Sequence, residues 1–175
     1  MKCDEGVATL NALEVRWKKE PASILSGNRA FNFELFRNAF LYLVGIYKSP
    51  LFMNKALFYV DFLNFRNHKK SLTGMRYVRL EYGPCPDQYQ ALVAKLIEDG
   101  NVKKRGHNLQ KLKEANLDLF DDDEKATLSA ILDIGKSESA KYLYDLSHDE
   151  NAFTKTAPFI EVISYKYAKD LLIKE

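Results

Sequence analysis

Residues 71–86 read SLTGMRYVRLEYGPCP. Thr73-Gly74 breaks the chain, Met75 to Tyr82 is an extended stretch, and Gly83-Pro84-Cys85-Pro86 closes it. Glycine permits an unusual φ and proline fixes one, so punctuation at both ends predicts a strand held at a set angle between helices. Alternation puts Arg76, Val78, Leu80 and Tyr82 on one side and Met75, Tyr77, Arg79 and Glu81 on the other. The first side is the more apolar and is expected to face the core. The second, with Tyr82 beside it, has the make-up of a contact surface. Gly83 to Pro86 lacks the several glycines and exposed amides of a phosphate loop.

Immediately upstream, ALFYVDFLNF (56–65) is apolar or aromatic at every position except Asp61 and Asn64. Asp61 lies one helical turn from Phe58 and Phe65, and burying a bare carboxylate there costs several kcal/mol or more. Its expected donors are Thr73, Arg76 and the amides of the 71–74 turn, which would make Asp61 the lock on that turn. A catalytic carboxylate and a contact in a partner groove are the sharper alternatives.

Working outward, Asn32 is placed to cap a helix carrying Phe33, Phe36, Phe40, Leu43, Val44 and Tyr47 at helical spacing. Ser49-Pro50 restarts the chain into a second helix, Leu51 to His68, apolar around most of its circumference. Pro86 suits the first turn of a third helix, with Tyr89, Leu92, Val93, Leu96 and Ile97 as its stripe and Gly100 at its end. Residues 101–119 read as a β-hairpin turning at Gly106-His107-Asn108. The run Asp121 to Glu124 opens a helix closed by Gly135, and a further helix ends at Ser147-His148. Ser164 caps a last helix, with Tyr165, Ala168, Leu171 and Leu172 inward. The sum is a single α+β domain, mostly helical, with a small antiparallel sheet made of strand 75–82 and the hairpin. Residues 3–20 are expected to form a modest helix, which would make 1–28 an N-terminal helix and connector and 29–175 the main domain.

Composition bounds the function. The chain has 175 residues, 46% of them hydrophobic, enough for one core. A net charge of +2 lacks the heavy basic bias of a dedicated duplex binder. Cys3 and Cys85 make no CxxC pair and no ladder, which argues against a disulfide framework or a zinc ribbon and fits a reducing, cytoplasmic compartment. The apolar run Ala39 to Tyr47 is far shorter than the ~20 residues of a membrane span, so no membrane is expected. His68, His107 and His148 fall in three separate elements without ligand spacing, so neither metal nor other cofactor is expected. Ser147 and His148, adjacent on a helix, project about 100° apart and make no nucleophile–base pair. Lys103-Lys104-Arg105 stands on the hairpin. Helix, strand, proline-led helix and basic hairpin together also suit a winged helix that binds nucleic acid through this wing.

Residues 53–92, MNKALFYVDFLNFRNHKKSLTGMRYVRLEYGPCPDQYQAL, resemble the signature of the Panacea, or SocA-like, antitoxin domain. The positions matching its pattern are Lys55, Leu57, Tyr59, Asp61, Leu72, Thr73, Gly74, Tyr77, Tyr82, Gly83, Pro84 and Pro86. A second block, Leu146-Ser147-His148-Asp149-Glu150 with Phe153, resembles a later family signature, and the likeness covers roughly residues 50–172. Lys69-Lys70-Ser71 stands where the family often has Gly-Arg, Cys85 where it has an aliphatic residue, and Phe153 where it often has Trp. The resemblance implies a non-enzymatic, cytosolic antitoxin, of a kind found in prokaryotes and phages, that neutralises a cognate toxin encoded beside it by direct binding. Neither the toxin nor an oligomeric state follows from it. The expected partner-binding residues are Tyr77, Arg79, Glu81 and Tyr82. Asp61, Thr73, Gly74, Arg76, Gly83, Pro84, Pro86, Ser147, His148 and Glu150 are expected to hold the scaffold.

Overall fold

The computed structural model describes residues 20–159 and 161–174. The helix expected over residues 3–20 falls, but for its last residue, outside the described residues. Asn32 caps α1 (Phe33–Leu43) by accepting the Leu35 amide at 3.1 Å, as its side chain predicts. The chain leaves α1 before Tyr47, so Tyr47 packs from a turn rather than from the helix. Helix α2 (Pro50–His68) starts on a proline and ends at Lys69, whose left-handed φ of 60° closes it. Its residues from Met53 to Phe65 are all buried, and it is the axis of the domain.

The opening stretch folds differently from the strand-and-corner expectation. Strand β1 is short, Tyr77–Leu80, and Gly83–Pro86 is itself a strand, β2, paired antiparallel to it. Glu81 and Tyr82 form the two-residue loop between them, and Gly83 has a φ of 97° that disfavours any side chain. Prolines are admitted because β2 is an edge strand, where a missing N–H removes no ladder bond. Along its other edge β1 meets Val162 in a bridge, so it lies between two neighbours. Pro86 therefore ends a strand instead of starting a helix, and α3 (Tyr89–Glu98) begins after Gln88 in a left-handed conformation.

The hairpin expected over 101–119 is confined to β3 (Val102–Arg105) and β4 (Asn108–Lys111). Residues Leu117–Leu119 form a 3₁₀ turn. Helix α4 (Asp122–Ser137) carries a reciprocal capping box between Asp121 and Glu124. It runs past Gly135, which sits within the helix because a Cβ there would lie 2.7 Å from the Tyr47 hydroxyl. Short helices α5 (Tyr142–Ser147) and α6 (Asn151–Thr154) lead to a 3₁₀ segment, Tyr165–Asp170, capped by Ser164 as expected. Tyr165, Ala168 and Leu171 turn inward, but Leu172 is exposed, because the 3₁₀ segment ends at Asp170 and the chain beyond it alternates buried and exposed residues. Helices α4, α5 and the 3₁₀ segment all pack on α2, and so does β2. Among the described residues, the result is one α+β domain with two small antiparallel two-stranded sheets. Among the described residues, no helix is long and apolar enough to cross a membrane.

Candidate partner-binding site

Asp61 is 0% exposed and fully engaged. Its Oδ1 accepts the Thr73 amide at 2.7 Å, and its Oδ2 accepts the hydroxyls of Thr73 and Tyr77, each at 2.7 Å. Burial still lifts the carboxyl to about 6, with these hydrogen bonds and then the Arg29 charge pulling it down. The turn that Asp61 grips is tied elsewhere too. Ser71 donates to the Ser26 carbonyl, Asn64 to the Lys70 carbonyl, and the Asn32 amide to the Thr73 carbonyl. Gly74, at a φ of 77°, passes so close to Ala30 that a Cβ would stand 2.4 Å from its carbonyl oxygen. Asp61, Thr73 and Gly74 thus form the expected lock.

Two members of the lock were misplaced by sequence. Arg76 does not reach Asp61 and pairs with Glu20 at 2.8 Å. Tyr77 takes the place given to Arg76. It is 0% exposed, with Phe58 and Phe62 edge-on to its ring at 5.5 and 5.8 Å, so it is no surface contact. A phenol completes the shell of a buried carboxylate without bringing in a second charge, and this outweighs the apolar count that favoured the opposite side.

Beside the lock, Lys55 is also 0% exposed. Its Nζ donates to the Pro84 carbonyl at 2.8 Å and lies 5.8 Å from the Tyr144 ring centre. Burial lowers its pKa to about 7. A Cβ on Gly83 would come within 3.2 Å of both this ammonium and the Ser147 hydroxyl. Ser147 and His148 both turn back on the Tyr144 carbonyl, at 2.7 and 2.8 Å. Glu150 accepts the Tyr59 hydroxyl at 2.9 Å, and burial raises its pKa. The two motif blocks therefore meet beneath the β1–β2 hairpin and fix where its tip stands. The buried lysine and its engagement of Pro84 were missed, although a cation in the apolar run MNKALFYV was as visible as Asp61.

What the hairpin shows to solvent is narrower than the expected strand face. Glu81 is exposed and Tyr82 is 41% exposed, whereas Arg79 is half-buried. The Arg79 guanidinium stacks 4.6 Å from the Phe153 ring centre and donates to the Thr156 carbonyl. Next to Tyr82 opens a groove of about 710 Å³. Its walls are the starts of α2 and α3, with Leu51 and Val93, and its far end is the β3–β4 turn, with Lys104 and His107. Lys103, Lys104 and Arg105 are all exposed along β3. Among the described residues, no group of His, Cys, Asp and Glu is arranged to hold a metal.

No curated protein and no solved structure matches this chain. The family model described as antitoxin SocA-like, Panacea domain, matches residues 53–153, which contain the Asp61 lock, the buried Lys55, the hairpin and both motif blocks. The chain belongs to the SocA-like, Panacea-domain antitoxin family.

Proposed function

We propose that this protein neutralises a toxin encoded beside it by binding it directly, without chemistry of its own. The family match over residues 53–153 carries this reading. Its contact surface centres on Tyr82 and Glu81 at the hairpin tip and extends to the exposed edge of Arg79. A tyrosine on a stiff two-residue loop is a low-entropy anchor of the kind that dominates protein interfaces. The buried acid in the same region speaks against an enzyme. Asp61 is closed off by Thr73 and Tyr77, and His148 is spent on the Tyr144 carbonyl, so the two share no open cleft.

Co-expression with the product of the adjoining gene tests the proposal. The wild-type chain should restore growth and co-purify with that product, and Tyr82→Ala should weaken both while remaining folded. Growth arrest that the wild-type chain leaves untouched would overturn it. The exposed row Lys103, Lys104 and Arg105 keeps a second reading alive, a nucleic-acid wing. That reading requires salt-sensitive duplex binding lost when the three are neutralised.

A further inference from the structure

The groove beside Tyr82 has an uneven chemistry. Its lining is mostly aliphatic and aromatic, and two of its side chains, Leu51 and Tyr82, are large hydrophobics left over a third exposed. Its ionisable lining residues besides tyrosine are Lys104 and His107, and no carboxylate lines it. Lys104 makes no ion pair among the described residues. Apolar area in the open, rimmed by a single sign of charge, marks a binding surface whose partner carries the opposite sign.

We infer that this groove takes a toxin segment in which an aromatic or aliphatic side chain is flanked by aspartate or glutamate. The apolar side chain fills the space between Leu51, Tyr82 and Val93, and the carboxylate faces Lys104 and His107. The assignment rests on the antitoxin reading for the origin of the segment, but its chemistry follows from the groove. A basic or purely polar segment would leave the apolar walls wet and meet like charge at the rim.

A displayed library of random twelve-residue peptides, selected on the full-length chain, tests it. Enriched sequences should pair an aromatic or aliphatic residue with neighbouring acids. Binding should be lost on Leu51→Glu and on Tyr82→Ala, two exposed positions whose replacement leaves the core intact. Lys104→Glu should weaken it by roughly five- to tenfold, as charge reversal at a rim does. Enrichment of basic peptides, no enrichment, or equal binding by all three variants would overturn the assignment. Toxin capture by the wild-type chain without such enrichment removes the groove alone. Acidic enrichment without toxin capture removes the antitoxin origin of the segment alone.

Discussion

Tyr59 donates its phenolic proton to Glu150 at 2.9 Å across a sequence separation of 91, and Glu150 in turn accepts the Leu172 amide at 3.1 and 3.2 Å. One carboxylate thus joins the middle of α2, the motif after α5 and the C-terminal segment. Glu150→Ala would leave the buried Tyr59 hydroxyl and the part-buried Leu172 amide without their acceptor, at about 1–3 kcal/mol. Tyr59→Phe should cost about 1 kcal/mol, since the acid keeps the Leu172 amide. Urea unfolding of the single and double mutants should give a double mutant less destabilised than the sum of the singles. Strict additivity would mean that the two groups do not act on one another.

Tyr77→Phe separates the two roles offered for this position. Asp61 would keep both Thr73 bonds and lose a third donor, so the fold should weaken by roughly 1–2 kcal/mol. Toxin neutralisation, compared at equal amounts of folded protein, should be unchanged, because the ring is sealed beneath the hairpin. Unaltered stability together with lost neutralisation would return Tyr77 to the surface.

The parts of this architecture legible in the sequence are those where a single residue faces a large local penalty. Asp61 among aromatic neighbours had to find donors close by, and Thr73 supplied two of them. Asn32 and Ser164 cap because orphan amides need an acceptor whatever the tertiary fold. The parts not legible depend on what comes back from far along the chain. Tyr77 faces inward because α2 and Tyr165 cover that side of β1, and alternation alone cannot tell which side is covered. Gly83–Pro86 is a strand because β1 folds back on it and Lys55 takes the Pro84 carbonyl, whereas its composition reads as a corner. The groove is assembled from five separate stretches, so no local pattern announces it.

Gly74→Ala tests the lock from the backbone side. The position combines a φ of 77° with a Cβ site 2.4 Å from the Ala30 carbonyl oxygen, and backbone on both sides leaves no flexible neighbour to move. The left-handed conformation alone costs about 1 kcal/mol, and the collision should bring the total to roughly 3 kcal/mol or more. Gly100→Ala has a similar φ of 65° but open space around it, so it isolates the first contribution. Thermal unfolding should rank wild type above Gly100→Ala and Gly100→Ala above Gly74→Ala. Equal losses at the two sites would show that the Ala30 contact yields freely.

Lys55 gives the fold a measurable dependence on pH. In the folded chain its ammonium loses its proton near 7, while in the unfolded chain it holds it to about 10.5. Between these values the unfolded state binds more protons, so stability rises with pH from about 7 upward and falls as pH drops back through that range. Asp61, raised to about 6, acts below this window, and the buried tyrosines Tyr77 and Tyr165 titrate above it. Wild-type protein should therefore gain about 2 kcal/mol between pH 7 and 9 from this group. Lys55→Met keeps the unbranched side chain but for its terminal amine, removes the titrating group, and should flatten that slope even if its stability at pH 7 differs. The measurement is urea unfolding at several pH values in the window. A slope as steep in Lys55→Met as in wild type would place the titrating group elsewhere.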